Sequence, residues 1–276
     1  MGQTTLIEPG CVHSINGVQI FGRHALGGSE SKELQFWQND PLERPGGDLF
    51  ANILHKSQFM RIFSAQIAAL GIGEQDRILE LGGGQCWASA LLKRRYPHCH
   101  VIASDVAADA VSSVSRYEEL LGIQVDEKFA FPVQSIPFAE NQFDLVFCFA
   151  AFHHFIIGDR YQETLREIVR VLKPGGRLVM LYEPSAPRWI YGRAYQRVNR
   201  NRDADGVDED VLQLRKLSEA AEKAGALMSF RYHDDFLDRP GPLETVYYLA
   251  LRHVPILKRM LPCTVDVTIR KNAVPS

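Results

Sequence analysis

Three groups of residues in this 276-residue chain could do chemistry. The first is Ile78-Leu79-Glu80-Leu81-Gly82-Gly83-Gly84-Gln85-Cys86-Trp87, an apolar run ending in an acid and three glycines. The second is Asp105, which follows the next apolar run, and the third is the pair His153-His154, which follows another. A glycine loop of this kind can hold a pyrophosphate, the phosphates of a nucleoside triphosphate, or a cationic nucleoside. A triphosphate loop needs Gly-Lys-Ser/Thr, and Gly84 is followed by Gln85-Cys86-Trp87. The dinucleotide pattern fits Gly82 and Gly84 but meets Trp87 where a third glycine would allow close helix packing. Glu80 would repel a pyrophosphate and attract a ligand with ammonium and sulfonium groups in a partly desolvated cleft. Asp105, at the end of the second strand, can accept hydrogen bonds from both hydroxyls of a ribose. Two acids and a glycine loop suit a cationic nucleoside.

These groups must be positioned by regular elements. Residues 77–81, 101–104, 127–131, 143–150 and 177–183 read as short, continuously apolar strands, and 85–95, 107–121 and 161–172 read as helices between them. Gly122 ends the second of these helices, and Lys173-Pro174-Gly175-Gly176 ends the third. Strands that are apolar throughout and separated by helices imply parallel pairing with both faces covered, hence a doubly wound α/β fold. Ligands of such sheets bind at the carboxyl ends of the strands, where the loops after Leu81, Ser104 and Phe149 should gather. A long amphipathic helix is expected over 50–70, stopped by Gly71, after an irregular lead-in with one short helix near Glu30 to Gln38. Beyond Glu183, residues 184–210 are polar with aromatics and arginines, followed by a helix from Val211 to Ala224 and β-like runs around 226–233 and 263–270. The domain reading is therefore a lead-in and cap over 1–70, a core over 71–183, a lid and helix over 184–225, and C-terminal strands completing the sheet over 226–276.

Composition limits the function. With 31 basic and 33 acidic side chains, the net charge of −2 argues against a protein whose main task is gripping nucleic acid backbone. The five cysteines are scattered and form no C-x-x-C, which points to reduced thiols in a cytoplasmic setting and gives no zinc site. No apolar segment reaches the length of a membrane span. The start MGQTT is loosely like a myristoylation signal and is read as a frayed terminus.

Glu80-Leu81-Gly82-Gly83-Gly84, Asp105, Ile136-Pro137-Phe138-Ala139-Glu140-Asn141-Gln142-Phe143-Asp144 and Leu172-Lys173-Pro174-Gly175-Gly176 together resemble the successive motifs of class I S-adenosylmethionine-dependent methyltransferases. The resemblance covers roughly 60–183 and implies a Rossmann-like sheet with S-adenosyl-L-methionine as cofactor. By position it implies that Glu80, Gly82, Gly83 and Gly84 surround the methionine end and that Asp105 takes the ribose. It places Val106 against adenine, Val133 and Gln134 at the adenine edge, and Phe149 and Ala150 along the site after the fourth core strand. The chain departs from the family pattern in two places. Cys86 stands where the third glycine of the loop belongs, and Pro132 or Gln134 stands where an acid is often found. Cys86 reads as a small packing residue rather than a nucleophile, and Trp87 as a helix anchor rather than a roof over the cofactor.

Methyl transfer from a sulfonium draws much of its rate from positioning, and a phenol, alcohol or amine acceptor also needs a base. One imidazole, His154 first and His153 second, could remove that proton, or the pair could only shape the pocket. Neither reads as a metal ligand, since no further His or Cys is grouped with them. Pro97-His98-Cys99-His100 and His233-Asp234-Asp235 read as surface loops. The Asn/Asp-Pro-Pro-aromatic element of enzymes that methylate base amino groups is absent, and Phe149, Phe152 and Phe155 suggest an apolar pocket. Arg188, Arg193, Arg197, Arg200 and Arg202, with Trp189, Tyr191 and Tyr195, read as a solvated mixed-charge lid, since Asp203, Asp205, Asp208, Glu209 and Asp210 follow. The expectation is a methyltransferase for a small-molecule acceptor. Its alternatives are a protein- or RNA-directed methyltransferase and a non-catalytic cofactor-binding protein.

Overall fold

The apolar runs become the central strands of one sheet. The computed structural model describes Leu6 and residues 13–22, 27–200, 207, 209–236, 239 and 241–273. Elements follow as β1 (His13–Ile15), β2 (Val18–Ile20), α1 (Gly28–Asn39), α2 (Leu49–Gln66), β3 (Arg77–Glu80), α3 (Trp87–Arg95), β4 (His100–Asp105), α4 (Ala108–Ser112), α5 (Val114–Leu121) and β5 (Glu127–Ala130). They continue as β6 (Phe143–Phe149), α6 (Phe152–Phe155), α7 (Tyr161–Val171), β7 (Leu172–Ser185), α8 (Tyr191–Val198), α9 (Leu214–Lys223), β8 (Ala226–Tyr232), α10 (Pro242–His253), α11 (Pro255–Met260) and β9 (Cys263–Lys271).

The strand order is β1-β2-β5-β4-β3-β6-β7-β9-β8. From β2 to β7 every pairing is parallel, and β1, β9 and β8 are antiparallel to their neighbours. The fold is a doubly wound, mostly parallel α/β sheet of Rossmann-like type. Alternate residues of the central strands feed two separate cores, as period-two geometry requires. Leu79, Val146, Leu178 and Met180 join one core, which α7 and α9 cover. Ile78, Leu145, Phe147, Val179 and Leu181 join the other, which α2, α3 and α5 cover. Strand order reverses between β3 and β6, so the loops after β3, β4 and β6 meet above that point.

Four local expectations need correction. The lead-in is not irregular: Asn16 and Gly17, both at positive φ, turn β1 back on β2, and β2 extends the sheet by pairing with β5. An Asn-Gly dipeptide between short β runs is a strong hairpin signal, and it was present in the sequence. The expected helix over 107–121 is two helices, α4 and α5, that meet at Ser113. Lys173-Pro174-Gly175-Gly176 does not separate helix from strand. It bulges within β7, so that Phe143 pairs with Leu172 while Leu145 pairs with Arg177. Finally, residues 242–260 fold as α10 and α11, and 191–198 as α8, none of which was expected.

Candidate functional site

The glycine loop is fastened to both neighbouring strands. Leu81 N–H donates to Phe147 O (2.9 Å), and Gly83 N–H donates to Ser104 O (2.9 Å). Gly84 N–H donates to Asp105 Oδ2 (2.8 Å), while Asp105 Oδ1 accepts from Ala107 N–H (2.9 Å). Asp105 therefore ties the loop to the end of β4 before any ligand arrives. Gly84 has φ +54°, and a Cβ there would stand 2.5 Å from the Trp37 ring on α1. Only glycine allows both the left-handed turn and that close cover. Cys86 occupies the same left-handed region at φ 54°, a conformation that favours glycine. Burial, then the charges of Glu80 and Asp105, push its thiol well above its ordinary value. It is fully buried and donates from Sγ to Gly84 O at 3.4 Å, an environment that disfavours the thiolate.

The lead-in is stitched to this loop by buried polar residues that sequence reasoning passed over. Gln85 Nε2 donates to Glu43 O (2.7 Å), and the Tyr117 hydroxyl donates to Asn52 Oδ1 (2.5 Å) with Gln85 Oε1 3.1 Å away. These bonds hold α2 and the turn before it across the mouth of the sheet.

The loops and the two lead-in helices enclose a cavity of about 760 Å³, within the size range of small-ligand sites. Glu80, the three glycines, Asp105, Val106, Val133 and Gln134 line one end, and Phe149, Ala150, His153 and His154 continue the wall. All the sequence-expected site residues are thus brought to one cavity. Glu80 is buried and accepts from the Ser89 hydroxyl (2.5 Å). Burial pushes its carboxyl up to about 7, the Ser89 hydrogen bonds opposing and the Asp105 charge adding to the rise. Burial raises Asp105 as well, against the hydrogen bonds from Ala107 and Gly84. Two acids raised by burial in one cleft fit a cationic ligand, which would favour their charged forms. The amide nitrogen of Gln134 is committed to Phe155 O (3.0 Å) and Thr164 Oγ1 (3.3 Å), so it is not a donor to the cavity.

At the other end, Glu183 is fully buried and organises the His pair. Its Oε1 accepts from Ala151 N–H (2.9 Å) and Phe152 N–H (2.8 Å), and its Oε2 from His153 N–H (3.2 Å) and His153 Nδ1 (2.8 Å). The carboxylate thus caps α6 and fixes the imidazole, with Nδ1–H engaged and Nε2 left as the acceptor. Burial opposes the charging of His153, but the hydrogen bond and charge of Glu183 outweigh it and hold its pKa above the ordinary value. His154 Nδ1 lies 3.4 Å from Glu33 Oε1 on α1. Burial, then repulsion from Asp105 and Glu30, push Glu33 up to about 8. Glu209 comes from far along the chain to join the pair, its carboxylate within 4.8 Å of both imidazoles. The sequence showed no third group beside the pair because this one arrives only through the tertiary fold.

Other expectations resolve unevenly. Trp87 is buried edge-on against Phe63 (5.5 Å) and Phe149 (5.6 Å) and also borders the cavity, so it is anchor and wall together. Cys99 is buried and His100 begins β4, and His233 packs 5.2 Å from Tyr182 and 3.6 Å from Asp266. Pro97 and His98 are exposed in a turn, as expected of a surface loop, although Cys99 beside them is buried, and His233-Asp234-Asp235 form a half-buried loop after β8. Pro184, Val198, Val207 and Glu209 bring the 184–210 segment to the cavity wall. The described arginines of that segment do not line it: Arg197 pairs outside with Glu244 (3.2 Å), and Trp189 is 65% exposed. Arg202, Asp203, Asp205 and Asp208 lie outside the described residues, as do Cys11 and the Met-Gly start.

Residues 79–180 match the family described as Methyltransferase domain, a span from β3 into β7 that holds the glycine loop, Asp105 and the His pair. A demethylmenaquinone methyltransferase of Thermus thermophilus is 34% identical over 120 residues, 44% of this chain and 53% of the relative. An uncharacterized methyltransferase of Bacillus subtilis, YcgJ, is 27% identical over 140 residues, 50% of this chain and 53% of the relative. The chain spans about half the length of these curated relatives. The crystal structure of geranyl diphosphate C-methyltransferase from Streptomyces coelicolor superposes with a TM-score of 0.65 at 14% identity, covering 89% of this chain and 98% of that one. That likeness shows the fold. The matched span shows a methyltransferase domain over residues 79–180, and S-adenosyl-L-methionine is the cofactor such a domain implies.

Proposed function

We propose that this protein is an enzyme that methylates a small-molecule acceptor with S-adenosyl-L-methionine. The observation that carries the reading is one cavity lined by two buried acids, a glycine loop and a carboxylate-oriented imidazole. The name of the Thermus relative, a demethylmenaquinone methyltransferase, supports an acceptor of small-molecule type. When bound, the cofactor supplies a methyl group on a sulfonium.

The chain's own residues do the rest. Glu80 attracts the ammonium end, Asp105 accepts from the ribose hydroxyls, and Val106 and Val133 form the apolar side of the adenine pocket. α1, α2 and the residues around 207–209 exclude water, which strengthens every charge interaction inside. His153 Nε2 would take the proton that the acceptor loses as its bond to the methyl carbon replaces the methyl–sulfur bond, with S-adenosylhomocysteine leaving. His154 borders the same end and holds the acceptor against its neighbour. The structural support favours His153 over His154 as base, because Glu183 fixes its tautomer.

The test is the release of S-adenosylhomocysteine across a panel of phenols, amines and reduced quinones. With an acceptor in hand, His153→Ala is expected to lower kcat by about 10²–10⁴-fold while leaving cofactor affinity within about twofold. Unchanged turnover would assign the rate to positioning alone, and no binding of S-adenosylmethionine would end the proposal.

Glu80 adds a pH dependence to cofactor binding. Below about pH 7 the free protein holds this carboxyl protonated, whereas a cationic ligand favours the ionised form, so binding must expel the proton. Affinity is therefore expected to rise about tenfold from pH 6 to pH 8, with proton release in calorimetry at the lower pH. A flat profile in wild type, or the same slope in Glu80→Gln, would remove Glu80 from the ligand's surroundings.

A further inference from the structure

α10 is apolar on both sides. Inward it buries Tyr248 and Leu251, while outward it shows Leu243 at 85% exposure and Val246 at 64%, with Leu249 on the same stripe. Their spacing of three residues aligns them on one face. α11 continues the surface with Ile256 at 56% and Met260 at 49% exposure. Single exposed apolar side chains are ordinary, but a run of them along two consecutive helices marks an interaction surface.

The charges beside the stripe indicate what it meets. On the same two helices Arg252, which also lies 5.7 Å over the Phe236 ring, and Arg259 are exposed, and Lys258 pairs with Asp234. The acid within α10, Glu244, pairs with Arg197. Arginines thus flank an apolar face on a chain whose net charge is −2. A second copy docking through a twofold axis would present this same patch, whose Glu244 is already paired with Arg197, and so would offer Arg252 and Arg259 no opposite charge. A surface that is apolar inside and anionic at its rim complements both features, and a lipid bilayer with anionic headgroups is such a surface.

The inner side of α10 supports the cavity wall. The Tyr248 hydroxyl is 2.7 Å from Thr264 Oγ1, and Thr264 lines the cavity; Tyr247 donates to Pro262 O (2.6 Å) one step before β9. The outward stripe is therefore one helix away from the acceptor end.

We propose that α10 and α11 dock the protein on an anionic lipid surface, lying in the headgroup plane with Leu243, Val246, Leu249, Ile256 and Met260 turned into it. This goes beyond the catalytic reading and does not depend on it. Vesicle co-sedimentation of the full chain tests it, with phosphatidylglycerol-containing vesicles against pure phosphatidylcholine. Binding to the anionic vesicles is expected, weakening at least tenfold in the double variant Leu243→Glu/Val246→Glu, in Arg252→Glu/Arg259→Glu, and at high salt. Because the substituted side chains are exposed, thermal stability and S-adenosylmethionine affinity should match the parent and show that the fold is intact. No binding to anionic vesicles, or equal binding by the variants, overturns the proposal. So does a dimer in ultracentrifugation that Leu243→Glu/Val246→Glu dissolves without vesicle binding, since a second copy would then cover the face. The assay contains neither cofactor nor acceptor, so its failure and a failure of the proposed activity are read separately.

Discussion

Asp105→Ala is expected to bind S-adenosylmethionine about 100-fold more weakly than the parent chain. A carboxylate that accepts from two ribose hydroxyls contributes about 1.5–3 kcal/mol per charged hydrogen bond, and each 1.4 kcal/mol is a factor of ten in affinity. The same side chain holds Gly84 N–H and Ala107 N–H, so the variant also loosens the loop that should receive the ligand. Stability of the free protein should change little. Burial raises the pKa of Asp105 above its unfolded value, so its ionised form costs stability at neutral pH. Removing it relieves that cost while leaving two amides without an acceptor, and the two effects oppose each other. Calorimetric titration with the cofactor is the measurement, and an unchanged affinity would show that the ribose is held elsewhere.

Glu183→Gln should fold and fail. An amide keeps one oxygen for Ala151 and Phe152 N–H, so the cap on α6 survives in part. Its nitrogen, however, faces His153 Nδ1 where a carboxylate stood, which drives the ring to the tautomer with Nδ1 as acceptor and Nε2 protonated. A base presented in the wrong tautomer loses about 10²–10⁴-fold in kcat, as carboxylate-to-amide changes do in other His-carboxylate pairs. KM and the melting temperature should stay near the parent values. The parent's pH profile should also fall on the acid side as His153 takes up its proton, since Glu183 holds that pKa above the ordinary value. Glu183→Ala is a different experiment: it orphans three buried amides and the imidazole, costing about 3 kcal/mol or more, and is expected to lower the melting temperature by roughly 6–12 °C. If Glu183→Gln turned over like wild type, the orienting role would be wrong.

What could be read from the sequence was what local pattern encodes. Continuous apolar runs gave away β3, β6 and β7, and Glu80 and Asp105 were visible because each stands where such a run stops. Glu183 stands in the same kind of place, at the end of 177–183, yet its meaning depends on the backbone of residues 151–153, some thirty positions earlier. No periodicity carries that pairing. Glu33 and Trp37 were hidden for a similar reason, since a short polar helix says nothing about which loop it will cover. The β1–β2 hairpin is a miss of another kind, because Asn16-Gly17 carried its own signal.

That hairpin also bears on how the chain comes to be folded. β2 pairs with β5, Gln19 beside Phe129 and Ile20 beside Ala130, so the first strands made must wait for more than a hundred residues before their partner exists. Closing so long a loop is slow compared with forming the neighbouring β3–β4 pair. The attachment of the β1–β2 hairpin to the sheet therefore depends on a pairing far slower to close than those at the centre. α1, whose Trp37 covers Gly84, is thus joined to the centre of the sheet through the longest closure among the parallel strands.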